Sequence, residues 1–164
     1  MNYKKSEQYK LYLLELASKN FFKKPYALIH KEFDDFCRQE KHWLDDYALY
    51  QVLKDELGDL SWNQWPQKLK NREEKELARY VARYKRDIEQ IKFFQFLFFR
   101  QWKALKDYAN NKGIKIIGDL PFYIGYESAD VWVNQDMFKL DDQKKMKSVA
   151  GVPPDYFSDT GQLW

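Results

Sequence analysis

Apolar residues recur along the first two thirds of this chain at the three- and four-residue spacing of helices, and that periodicity breaks down after residue 120. Tyr9, Tyr12, Leu13 and Leu16 fall on one face of an amphipathic helix. Pro25 opens a second helical stretch in which Phe33, Phe36 and Cys37 share a face. A third follows from Trp43, with a broad stripe of Leu44, Ala48, Leu49, Val52 and Leu53, and Gly58 is placed to stop it. The aromatic, proline-broken run Trp62-Asn-Gln-Trp65-Pro66 reads as a packed connector. From Glu73 to Tyr108 there is no Gly or Pro, and the composition favours one very long helix or two in close succession. Apolar density climbs toward Phe99 and Trp102, which predicts that the second half of this stretch is the more buried. Phe93 to Phe99 is too short to span a membrane, is interrupted by Gln95, and lies between Lys92 and Arg100. It reads as buried helix.

Asn110 to Gly113 forms a helix stop, and Ile114-Lys-Ile-Ile-Gly-Asp-Leu-Pro121 is a β-branched run of strand length. Beyond Leu120 the pattern predicts loop, apart from a helical turn at Ser128 to Trp132 and a solvated hairpin tip at Asp141-Asp142 beside Lys144, Lys145 and Lys147. One strand alone exposes both of its ladder edges and makes no sheet, so this segment is expected to need strands from elsewhere. A long loop without secondary structure is usually functional when it is not disordered, and this one is rich in aromatics, prolines and glycines. The expected division is a helical region over 1–92 and a helix, strand and long loop over 93–164.

Composition narrows the function. Of the 164 residues, 45% are apolar, enough for an ordinary core, but 18% are aromatic, more than filling a core requires. Some rings are therefore candidates for binding. The formal charge of +3 comes from Lys and Arg interspersed with acids along helices, away from the aromatic loop, which ranks a nucleic-acid partner last. Cys37 is the only cysteine, so neither an internal disulfide nor a paired thiolate metal site can form, and a reducing, cytoplasmic setting fits. The N-terminal segment lacks the apolar core of a secretory signal and no run is long enough for a membrane span. His30 and His42 are isolated, which argues against metal binding and Ser-His catalysis.

Individual acids have competing roles. Asp119, at the end of the expected strand, sits where β/α barrels place site residues, but an Asp there also caps turns. Glu127 and Asp130 flank a helix start where Ser128 or Asp130 would cap the first amides, so a structural role is the better expectation.

The run Ile116-Ile-Gly-Asp-Leu-Pro-Phe-Tyr-Ile124, together with Ser128-Ala-Asp-Val-Trp132 and Val149-Ala-Gly-Val-Pro-Pro-Asp-Tyr-Phe-Ser-Asp-Thr-Gly-Gln-Leu-Trp164, closely resembles the amylomaltase, or disproportionating enzyme, family of 4-alpha-glucanotransferases. Trp43 to Leu49, Trp62 to Pro66 and Gln101 to Asn110 are similar to that family's helical insertion and to the helix before its third barrel strand. The resemblance implies an α/β fold, a partial (β/α)8 TIM barrel around the third strand and its long loop, with a mostly α-helical insertion. It implies a retaining transferase that passes a segment of an α-1,4-glucan to an acceptor's 4-hydroxyl, acting on maltooligosaccharides without cofactor or metal. Such chemistry uses two carboxyl groups about 5 Å apart. In the family these belong to later strands, so the chain is expected to be an internal fragment carrying no catalytic nucleophile or acid/base of its own. Carried over by position, Asp119 is an active-site support, and Asp155, Tyr156, Phe157, Gln162 and Trp164 are substrate-binding. Gly125 and Tyr126 depart from the family's usual residues, and Asp159 receives no role. A pyranose packs its C–H face on an aromatic ring while fixed polar groups meet its hydroxyls. Tyr156 and Phe157 could instead be apolar pegs that fasten the loop, and the alternative at the level of the whole protein is a non-catalytic carbohydrate-binding or regulatory protein.

Overall fold

A computed structural model describes residues 2–24, 27–58, 60–121 and 123–163. Helices dominate it: α1 (Tyr3–Lys23), α2 (Ala27–Gln39), α3 (Lys41–Glu56), α4 (Gln67–Lys70), α5 (Glu74–Arg83), α6 (Lys85–Asn111) and α7 (Ala129–Val133), with single 3-10 turns at Trp62–Gln64 and Gln135–Met137. The strands β1 (Gly151–Val152) and β2 (Gln162–Leu163) form one antiparallel pair in the register Gly151↔Leu163 and Val152↔Gln162. Pro25, the expected start of α2, lies outside the described residues. The chain divides into two compact units, one of Met1–Leu53 and Ala78–Gly118, the other of Lys54–Leu77 and Asp119–Trp164. α6 runs without a break across residues 92 and 93.

The first unit is organised by phenylalanine. α1 and α2 both pack on α6, and Phe21, Phe33, Phe93 and Phe96 interlock at the junction. The Phe21 and Phe93 rings stack at 4.5 Å, while Phe33 meets Phe21 and Phe96 edge-on at 5.4 and 5.7 Å. Such offset and edge contacts between rings contribute about 1 kcal/mol each beyond the area they bury. His30 adds a polar clasp: its ring stacks on Phe21 at 4.0 Å, and Nε2 lies 3.1 and 3.0 Å from the carbonyls of Phe21 and Lys24. Both partners are acceptors, so Nε2 carries the proton and closes the C-terminus of α1. At the far end of α6, Lys112 and Gly113 stop the helix with a reversed turn in which the Gly113 and Ile114 amides donate to the carbonyls of Asn110 and Ala109. Gly113 takes φ of +76°, a conformation in which a side chain would be strained.

Two expectations from the sequence are corrected here. The residues of α6 beyond Phe96 are not the buried half. Phe98, Phe99, Trp102, Leu105 and Tyr108 are exposed, although Phe99 still touches Phe36 and Trp43. Apolar density marks a face able to be buried, and among the described residues no element covers the last turns of α6. The same holds for α1, where Tyr9, Tyr12, Leu13 and Leu16 do form one helix but stay exposed. The strand expected over 114–121 does not form among the described residues. Ile117 is 93% exposed and Leu120 85%, because an extended segment becomes a strand only when a neighbour supplies the other half of its ladder. No described helix is long and apolar enough to cross a membrane.

Of the two alternatives expected over 73–108, one very long helix or two in close succession, the structure has two, divided at Tyr84. α3 ends at Glu56, two residues before Gly58, with Leu44, Ala48, Leu49, Val52 and Leu53 all buried. In the second unit the Trp62–Trp65 connector buries both indoles.

Phe93 is a central test of the first unit. Phe93→Ala is expected to cost about 3 kcal/mol, against less than about 0.5 kcal/mol for exposed Phe98→Ala, read from urea unfolding followed by helical circular dichroism. Cys37 tests burial differently. Burial beside the α6 face pushes its thiol up to about 11, with Lys92 pulling in the opposite direction and Asp34, Asp45 and Glu89 adding to the rise. A thiol raised from 9.0 to about 11 holds about a hundredfold less thiolate at pH 8, so Cys37 should alkylate far more slowly with iodoacetamide in the folded chain than in urea. Its rate in the folded chain should climb as the pH approaches 11.

Candidate functional site

The second unit is mostly irregular backbone, so its polar groups must find partners outside helices and sheets. Side chains supply many of them. Trp62 Nε1 donates to the Tyr126 carbonyl at 2.9 Å, Trp132 Nε1 to the Leu69 carbonyl at 3.0 Å, and Gln135 Nε2 to the Lys70 carbonyl at 2.8 Å. Glu127 accepts from Lys54 Nζ at 2.8 Å and from the Ser61 hydroxyl. These bonds tie residues 54–70 to residues 126–135. The Tyr126 hydroxyl donates to the Lys144 carbonyl at 2.6 Å, and burial raises its phenol above the usual range, with the charges of Glu127 and Asp141 adding to the rise and Ser61 opposing it. Ser128 caps α7 by accepting from the Val131 amide at 3.3 Å. Glu127 and Ser128 thus have the structural roles expected of them. Asp141 and Lys144 also form the predicted hairpin tip, where Asp141 Oδ1 accepts the amides of Gln143 and Lys145 and Leu140 pairs with Met146.

The aromatic hairpin between β1 and β2 holds most of the candidate residues. Asp155 Oδ1 accepts the amides of Phe157 and Ser158, both at 2.9 Å, and the Asp155 amide donates to the Ser158 carbonyl at 3.0 Å. Ser158 Oγ donates to the Gly161 carbonyl at 2.7 Å, and the Gly161 amide returns to the Ser158 carbonyl at 3.2 Å. Gly161 has φ of +73°, and a Cβ there would run into the Val152 carbonyl oxygen and sit 3.0 and 3.1 Å from backbone atoms of Pro153 and Pro154. Only glycine lets the returning strand pass this close to the two prolines. On this scaffold Tyr156 and Phe157 stand 96% and 89% exposed, their rings edge to face at 5.6 Å.

The structure therefore brings Asp155, Tyr156, Phe157 and Gln162 together in one hairpin, with Gln162 exposed on β2 opposite Val152. Among the described residues the Tyr156 and Phe157 rings pack on each other, and both stay exposed. Asp119 is exposed on the extended segment after Gly118, and among the described residues no hydrogen bond or ion pair joins it to the hairpin. Trp164 lies outside the described residues. Ser158 was missed from sequence, although an Asp followed three residues later by Ser is a turn-forming pattern that could have signalled it. No group of three or more His, Cys, Asp or Glu suited to a metal occurs among the described residues.

Comparison with known proteins places this hairpin in a family. The family model for 4-alpha-glucanotransferase matches residues 1–164. The chain is 48% identical over 157 residues to the 4-alpha-glucanotransferase of Aquifex aeolicus, covering 96% of this chain and 31% of that protein. It is 46% identical over 156 residues to the enzyme of that name from Clostridium butyricum, covering 94% and 31%. The fold matches the amylomaltase from Streptococcus agalactiae, solved in complex with acarbose, with a TM-score of 0.90 and 38% identity over 100% of this chain and 33% of that one. The chain spans about a third of the length of these relatives, and it belongs to the 4-alpha-glucanotransferase family.

Proposed function

We propose that this chain contributes the glucan-binding hairpin of a 4-alpha-glucanotransferase, a retaining enzyme that moves a segment of an α-1,4-glucan to the 4-hydroxyl of an acceptor glucan or glucose. The observation that carries this reading is the pair of exposed rings, Tyr156 and Phe157, mounted on a hydrogen-bonded turn in a chain of that family. Exposed rings pack well on the C–H faces of pyranoses, and a turn stiffened by Pro153, Pro154 and Gly161 loses little freedom on binding. Gln162 is the polar neighbour that would meet sugar hydroxyls, Trp164 a further stacking ring, and Asp119 a support for the sugar in the cleft.

In the complete reaction one carboxylate attacks the anomeric carbon while a carboxylic acid protonates the leaving glycosidic oxygen, giving a glycosyl ester. The acceptor's 4-hydroxyl then displaces the carboxylate, losing its proton to the second group. We place both groups outside this chain, in further strands of a (β/α)8 barrel whose third strand would be the extended segment over 114–121. On this reading the helices over 1–92 form an insertion and residues 93–164 the barrel portion. The cytoplasm is the proposed setting, supported by a single, half-buried cysteine.

Incubation with maltotriose tests the reading. A polypeptide that continues this chain through the remaining two thirds of its relatives' length should release glucose and redistribute chain lengths, and the 164-residue chain alone should release none. Glucose release by the shorter chain would show that acids assigned here to turns and caps perform the chemistry.

A further inference from the structure

We propose that Asp155 is a positioning residue: its carboxylate fixes the Tyr156–Phe157 tip through the amides of Phe157 and Ser158, and it acts on a bound glucan only through those rings. This deepens the reading of the hairpin as a glucan-binding loop and rests on it. The family resemblance makes Asp155 itself substrate-binding, but the geometry points to a role in the turn. Oδ1 accepts two amides at 2.9 Å, which commits both of its lone pairs to the turn and leaves any contact with a ligand to Oδ2 alone. The Asp155 amide donates to the Ser158 carbonyl, so residue 155 closes the turn from both its side chain and its backbone. Ser158 then passes the constraint on to Gly161 through its hydroxyl. Tyr156 and Phe157 have no comparable anchor of their own, since both side chains stand almost wholly in solvent and touch each other. Their orientation is set by the backbone that Asp155 holds. Without the carboxylate, the Phe157 and Ser158 amides would turn to water and the tip would sample many arrangements, few of them presenting both rings together.

Three measurements test the inference. Amide hydrogen exchange on the 164-residue chain without ligand reads the turn directly: Asp155→Ala should remove protection at Phe157 and Ser158, and Asp155→Asn, whose Oδ1 can still accept both amides, should keep most of it. Calorimetric titration with maltoheptaose reads the consequence: Asp155→Ala should weaken binding on the order of tenfold, and Asp155→Asn by no more than about threefold. A double-mutant cycle separates the two roles. In a background of Tyr156→Ala with Phe157→Ala, adding Asp155→Ala should change binding by less than about twofold, because the rings it positions are already gone. An equal loss in both backgrounds would establish direct contact between Asp155 and glucan and overturn the proposal, as would unchanged exchange in Asp155→Ala. If truncating the two rings leaves maltoheptaose affinity unaltered, or the parent chain binds none, the glucan-binding reading fails and takes this role with it, while exchange still reports whether the carboxylate holds the turn.

Discussion

Backbone amides and carbonyls that leave regular structure still need partners, and the second unit is built around meeting that demand. Its described residues form only short helices, 3-10 turns and one pair of two-residue strands, so few of their polar backbone groups are satisfied by a ladder. Indole, amide and hydroxyl donors fill the gap. Trp62, Trp132, Gln135 and Tyr126 each donate to a carbonyl well removed in sequence, so the bonds that satisfy the backbone also fold it. Two of these donors are tryptophans with no measurable exposure, which couples a large apolar burial to each polar bond. Leaving such a buried carbonyl unpaired would cost about 1–3 kcal/mol, comparable to the net gain from burying a large apolar side chain. A loop of this kind can be irregular and still hold one conformation.

The first unit meets the same demand with helices and leaves a different problem, which is apolar surface. α6 is 27 residues long, but its ring cluster occupies only the stretch around Phe93 and Phe96. Helix formation needs no tertiary partner to satisfy backbone groups, so α1 and α6 can extend past the region where they are covered. The segment over 114–121 has no such independence. Its backbone can be completed only by another strand, and it remains extended and exposed among the described residues. Helix and strand residues of equal apolar content thus behave differently once neighbours are missing.

This contrast explains which features were legible in the sequence. Apolar residues sharing a helical face located α1, α2 and α3, and the Gly- and Pro-free composition over 73–108 located α5 and α6, because helical hydrogen bonds are local and the pattern records a property of the element itself. It could not say whether that face is covered, so Phe98 and Trp102 were expected inside and lie outside. Residues 114–121 carry strand propensity, but strand formation depends on a partner that propensity does not encode. At the candidate site, Tyr156 and Phe157 were identified by resemblance, and their exposure is a property of the fold. The Asp155 turn was hidden for another reason. An Asp beside aromatics proposed to bind sugar invites a polar contact with ligand, whereas the local path of the chain brings the amides of Phe157 and Ser158 onto one of its oxygens.

Two aromatic rings held almost fully in water are an unfavourable surface unless something covers them, and a protein could hide them simply by letting the tip collapse. The hairpin prevents that collapse. Pro153 and Pro154 restrict the approach to the turn, Asp155 and Ser158 close it, and Gly161 lets the chain return past Val152 and the prolines, where a side chain would clash with the Val152 carbonyl. Most of the ordering entropy is therefore spent during folding, so a ligand that stacks on the rings, as proposed for a glucan, would lose less of its binding energy to ordering the tip. On the proposed glucan-binding reading, a rigid exposed pair would present the same geometry to each glucose unit, which suits a ligand made of repeating rings better than a mobile tip that must be reorganised for every unit it meets.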